Sequence, residues 1–209
     1  MKDMFEQLFP GLMLMWICFI ANGVFSDIFT EYRDNTIARL VTSGVTVRQI
    51  LLSKILRGLV ICWICELLLI LFTGIIFQVN WWSRPLMLFV ILTSYNLFLM
   101  GLLALVNGYA ATNEMANSIL IFIFLISAVI GGIFVSFNQL PAVLQHIGEW
   151  TMIRLGNYGI ESIFQSRPLW ECLRPGIYLS AAGIVFMWLG TRVLHRRIMS
   201  GGVKTGVVK

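Results

Sequence analysis

Apolar residues in this chain come in long unbroken runs rather than in strict alternation with polar ones. A hydrocarbon core of roughly 30 Å takes about 20 helical residues to cross, and five runs reach or approach that length: 8–29, 50–77, 85–106, 116–137 and 177–193. Runs of this kind are about twice as long as a barrel strand needs, so they predict helices. The fifth is short and depends on its flanks, with Trp188 inside it and Arg192 able to extend its head group to the interface.

Two connecting stretches have patterns of their own. Between the first two runs, Ile37, Leu40 and Val41 fall at i, i+3 and i+4, with Arg39 and Thr42 pointing elsewhere. The spacing predicts a short amphipathic helix over 35–43, begun by Asp34 or Asn35 as a cap and ended at Gly44. Thr46-x-x-Gln49 is then a capping-box pattern that opens the next run. The segment 30–49 thus reads as helix, break, helix. Residues 138–174 are too polar to cross a membrane and too apolar for a free loop, with Pro141, Trp150, Tyr158, Pro168 and Trp170 among short apolar patches. They predict short helices in, or dipping into, the outer leaflet. Altogether residues 1–209 read as one all-α, polytopic transmembrane domain.

Composition turns the pattern into a statement about solvent. Of the 209 residues, 58% are hydrophobic and 12% charged, whereas a soluble domain carries about a quarter charged residues. There is too little polar material to cover a globule of this size, so most of the surface must face lipid. The net charge of +5 does not point to nucleic acid, because the cations flank apolar runs. Arg33, Arg39, Arg48, Lys54 and Arg57 lie between or just inside the first two runs, and Arg192, Arg196, Arg197, Lys204 and Lys209 lie at or beyond the end of the last. With five spans these two groups share a side. The other cations are Lys2, Arg84, Arg154, Arg167 and Arg174. The positive-inside tendency therefore predicts an outer amino terminus and a cytoplasmic carboxyl terminus. The connection "NWWSRP" at 80–85 suits the outer headgroup zone through its two Trp residues.

Candidate chemistry is sparse. Cys62 and Cys65 form a C-x-x-C with no second pair, nearby His or βαβ pattern, so they are read as packing. His146 and His195 stand alone, which predicts no metal site. "GGVKTG" at 201–206 lacks the spacing of a phosphate loop, and no nucleophile–base arrangement is suggested. The chain is not expected to be an enzyme. Glu66 stands out, being near the middle of the second run, where an acidic residue costs roughly 2.5–3.5 kcal/mol on insertion scales. Either it lines a substrate path or it is hydrogen-bonded to a neighbouring helix, with Asn96 and Ser94 as possible partners. Gly101, Gly108, Gly131 and Gly132 are read as small residues that let helices approach closely. Asn22 and Asp27, near the inner end of the first run, either face a cavity or reach toward the interface, and the second is the expectation.

The segment 30–49 has two physical readings, a basic helix resting on anionic lipid or a docking helix that takes force from a cytoplasmic partner. The order of motifs favours the second. "FPGLMLM", "EYRDNTIARLVTSGVTVRQILLSKIL", "GYAATNEMANSILIFIFLISAVIGGIFVSFNQLPAVLQHIGEW" and "YGIESIF", in that sequence, resemble the permease subunits of type-2 ABC transporters, an exporter class. The resemblance implies that 30–49 is a coupling segment seated on an ATP-binding subunit, with Glu31, Arg33, Thr36, Arg39 and Leu40 in contact and Gly44 as the turn. Thr112, Asn113 and Glu114 would offer a second cytoplasmic contact. Apart from the resemblance, the substrate-path reading of Glu66 takes in Asn96 as well. The resemblance further implies no cofactor in this chain, with ATP and Mg on the partner, and a second permease chain, like or unlike, completing a dimer in the inner (plasma) membrane. Members of that family usually begin with one more span, so the expectation is that another chain supplies it or that the permease is shortened. The family's frequent Pro near Val45 is also missing. The competing reading is a helical membrane scaffold or assembly factor without transport.

Overall fold

The computed structural model describes residues 2–33, 47–110, 112–134, 137 and 141–199. Among them are seven α-helices and no strand: α1 (Lys2–Arg33), α2 (Val47–Phe77), α3 (Pro85–Tyr109), α4 (Asn113–Ile130), α5 (Ala142–Gly148), α6 (Met152–Phe164) and α7 (Leu169–Met199). A 3-10 turn, Trp81–Ser83, joins α2 to α3. Five of the helices are long and apolar enough to cross a membrane: α1 over Leu8–Ser26, α2 over Leu52–Phe77, α3 over Pro85–Tyr109, α4 over Asn113–Ile130 and α7 over Leu169–Val193. The protein is an all-α, polytopic membrane protein.

Boundaries follow local chemistry. Pro85 opens α3 at a first-turn position, where its missing N–H would have had no partner. Thr112 caps α4, its hydroxyl accepting from the Met115 N–H at 3.2 Å. Thr151 caps α6 in the same way. The apolar run expected to 137 ends as a helix at Ile130, and Gly132 follows in the left-handed region at φ 83°. The last helix starts at Leu169, well before 177. Pro175 sits inside it, early enough that the ring costs a single first-turns carbonyl its donor.

The central element is α3, whose Ile91, Tyr95, Leu99, Met100 and Leu103 are wholly buried. The Tyr95 hydroxyl donates to the Leu14 carbonyl on α1 at 3.0 Å and lies 2.9 Å from Cys18 Sγ. On its other side α3 packs against α7 more extensively than any other pair of helices does. Contacts advance together along both: Ser94 meets Gly176, Gly101 meets Gly183 and Gly108 meets Gly190. The two helices are therefore parallel, and small residues seven apart, two turns, keep to one face of each. A Cβ on Gly183 would stand 2.6 Å from the Phe98 Cα. Backbone thus meets backbone along this seam.

The short helix α6 belongs to the bundle, whereas α5 is largely exposed. Gly156 of α6 lies against Leu14 and Tyr95, and Gly159 against Ile91. Ile153, Ile160 and Ile163 are buried on the same face. The turn before α3 is tied to the segment after α6 by Arg84, whose Nη1 donates to the Arg167 carbonyl at 2.7 Å. In contrast, α2 leaves a broad face uncovered, including Leu56, Ile64, Leu68, Phe72 and Ile75.

Candidate functional site

Glu66 on α2 and Asn96 on α3 are brought together at the middle of the bundle. Asn96 Nδ2 donates to Glu66 Oε2 at 3.0 Å, with the two residues 0% and 2% exposed. Of the partners considered from the sequence, Asn96 is the one used. Ser94 instead donates to the Val90 carbonyl at 2.8 Å and lies 2.9 Å from the Ser180 hydroxyl on α7. The pair is incomplete: Glu66 Oε1 and Asn96 Oδ1 are buried and have no hydrogen-bond partner among the described residues.

Glu66 also lines a groove of about 260 Å³ along the α2–α3 contact. Trp63, Glu66, Leu67 and Ile70 contribute from α2, at i, i+3, i+4 and i+7, and Pro85, Leu88, Phe89 and Leu92 do so from α3 with the same spacing. Trp81 and Trp82 border it at the turn. The Trp81 indole donates to Thr73 Oγ1 at 2.9 Å, which fixes one wall. Trp63 and Phe89 stack tilted, 5.6 Å between ring centroids.

At the Thr112 end of the bundle, Glu114 is exposed in the first turn of α4, where the helix dipole favours a negative group. Thr112 and Asn113 are half-buried. Asn22 is buried rather than directed at the interface, because its Nδ2 donates to Asn117 Oδ1 on α4. The bond ties α1 to α4 and gives one Asn22 N–H a partner, while Asn117 itself stays exposed. Glu31 and Arg33 fall in the last turn of α1. Thr36, Arg39, Leu40 and Gly44, together with the helix expected over 35–43, lie outside the described residues.

At the opposite end, α6 carries a polar cluster that the sequence reading did not single out. Asn157 Nδ2 donates to Glu161 Oε1 at 2.8 Å, and Arg154 Nη1 lies 3.4 Å from Glu161 Oε2. The Arg154 guanidinium also sits 4.3 Å above the Phe137 ring. Burial pushes the Glu161 carboxyl above the usual carboxylate range, while Arg154 pulls it back down. The i, i+4 and i, i+7 spacing of these residues on one predicted helix was the available signal. Beside the cluster, Glu149, Arg154, Glu171 and Arg174, with Trp150 and Tyr178, line a recess of about 340 Å³ that is balanced in charge.

The bundle thus has five helices long and apolar enough to span a membrane, with α6 packed among them at one end and the Thr112-capped start of α4 at the other. A sequence model of the family described as "ABC-2 family transporter protein" matches residues 1–192. The chain belongs to the ABC-2 transporter family. No curated protein and no solved structure matches it. As an ABC-2 family member it is a multi-pass membrane permease subunit of an ABC transporter, a family whose subunits pair with an ATP-binding subunit. In this ABC-2 protein the Glu66–Asn96 pair joins the helices that flank the groove, and Thr112–Glu114 marks the start of α4 some distance along the bundle.

Proposed function

We propose that the chain is the membrane-spanning half of an ATP-driven exporter in the inner (plasma) membrane, with its amino terminus outside and its carboxyl terminus in the cytoplasm. The match to the ABC-2 family over residues 1–192 supports this reading most directly. ATP and Mg are held by a separate subunit, and this chain pairs with a second permease chain so that substrate crosses between the two. Closure of the ATP-binding subunits pushes on the segment 30–49, where Glu31, Arg33, Thr36, Arg39 and Leu40 form the seat and Gly44 the turn. Thr112, Asn113 and Glu114 give a second contact. A short rigid helix transmits a rigid-body push, and a seat of Arg and Glu is specific and salt-sensitive. Glu66 and Asn96 lie beside the path, where a change in helix packing alters their exposure.

Co-expression with an ATP-binding subunit and affinity purification tests this. The two are expected to co-purify, and Arg39→Glu or raised salt to weaken the complex by tenfold or more, in line with about 2 kcal/mol or more for a lost interfacial charge pair. A complex of unchanged stability from the charge-reversed protein would count against the coupling role.

A further inference from the structure

Trp63 and Glu66 are one turn apart on α2, and both line the groove against α3. Each has a polar atom that is shut away and has no partner among the described residues: the Trp63 Nε1–H, a donor, and Glu66 Oε1, an acceptor. Buried indole N–H groups ordinarily find a partner, and an orphan of either kind bears its full desolvation cost. The rest of the lining is apolar, with Leu67, Phe89 and Trp82 more than half or about half exposed along the open side. Apart from Glu66, no residue lining the groove carries a charge.

We infer that this groove binds a neutral, hydroxyl-bearing amphiphile from the bilayer, whose hydroxyl donates to Glu66 Oε1 and accepts from Trp63 Nε1. A hydroxyl supplies one donor and two lone pairs, so a single group answers both orphans once the two side chains, one turn apart, turn these buried atoms toward the groove. An ammonium would answer Glu66 and leave the indole without an acceptor. A carboxylate or phosphate would answer Trp63 and bring a second acid against Glu66. The groove, about 260 Å³, is larger than the roughly 150 Å³ dry cavity that admits benzene. It therefore takes the polar end and a ring or short stretch of hydrocarbon against Leu67, Ile70 and Phe89, and the remaining chain lies in lipid. This binding requires no ATP and does not depend on the direction of transport.

The test uses the full chain in lipid nanodiscs without an ATP-binding subunit, labelled with a long-chain alcohol that carries a diazirine near its hydroxyl. Mass spectrometry should locate the label between Trp63 and Leu92, with 1-decanol displacing it more effectively than decylammonium or decanoate. Trp63→Phe should lower labelling about fivefold, as one lost hydrogen bond does. Glu66→Leu should lower it as much or more. Glu66→Gln should retain it, since Asn96 can turn its carbonyl to the new amide and leave the Gln carbonyl as acceptor. The matching diazirine alkane should label wild type and Trp63→Phe alike, which controls for folding. Better displacement by decylammonium, label spread evenly over exposed faces of α2, α4 and α7, or unchanged alcohol labelling in Trp63→Phe would each overturn the inference. Such a failure leaves the exporter reading untouched, because co-purification with an ATP-binding subunit measures that separately.

Discussion

Asn96 donates to Glu66 from a neighbouring helix, and inside lipid no water competes for that bond. Taking away one member therefore does more harm than taking away both, because the survivor is left buried and unpaired. Asn96→Leu should destabilise the protein by about 1–3 kcal/mol, read as thermal unfolding in detergent by intrinsic fluorescence. The double variant Asn96→Leu, Glu66→Leu should recover most of that loss. Additive losses from the two substitutions would mean that the bond contributes little. From the sequence, Glu66 was conspicuous as an acid amid apolar residues, and Asn96 was one of two candidate partners. Trp63 gave no signal, since a Trp in an apolar run is ordinary and its orphaned N–H shows only once α3 is packed beside it.

Among the helices, the parallel pair α3 and α7 carries the closest approach. Gly183 and Gly190 lie directly against α3 backbone, so a larger side chain must push the helices apart. Gly183→Leu should cost more than about 2 kcal/mol, at the upper part of the range for overpacked cores. Gly23 on α1 has nothing within 4 Å of an added Cβ, and Gly23→Ala should be neutral or stabilising by up to about 1 kcal/mol. Thermal unfolding of both variants in the same detergent checks the contrast. The element list was largely legible in the chain because lipid demands long apolar helices, and Gly101 and Gly108 were recognisable as packing residues. Their match to Gly183 and Gly190 was not, since a seven-residue spacing in one run does not say which other run answers it. The early start of α7 was hidden too: Glu171, Arg174 and Pro175 interrupt the apolar pattern there, although the backbone continues as a helix.

For the molecule as a whole, the asymmetric placement of Lys and Arg fixes the expected topology. In a variant without the native cysteines, Thr42→Cys should resist a membrane-impermeant maleimide in intact cells and react in inverted vesicles. Ser83→Cys, in the turn between α2 and α3, should do the reverse. Labelling of Thr42→Cys from outside would remove any seat for an ATP-binding subunit. Charge alone carries this expectation of sidedness, whereas the polar cluster Arg154–Asn157–Glu161 needed the fold, because helical spacing puts the three on one side without showing that they are drawn together beside Phe137.

The seam between α3 and α7 also bears on how the chain is made. Helices leave the ribosome in order, so the middle stave of the barrel enters the bilayer long before the one it fits against. Until that last stave arrives, the notched face of α3, with Ser94, Gly101 and Gly108, can be filled only by lipid tails or by a holding factor. Assembly of the bundle is thus a late event in biosynthesis, and nascent protein halted ahead of α7 would be a target for membrane quality control.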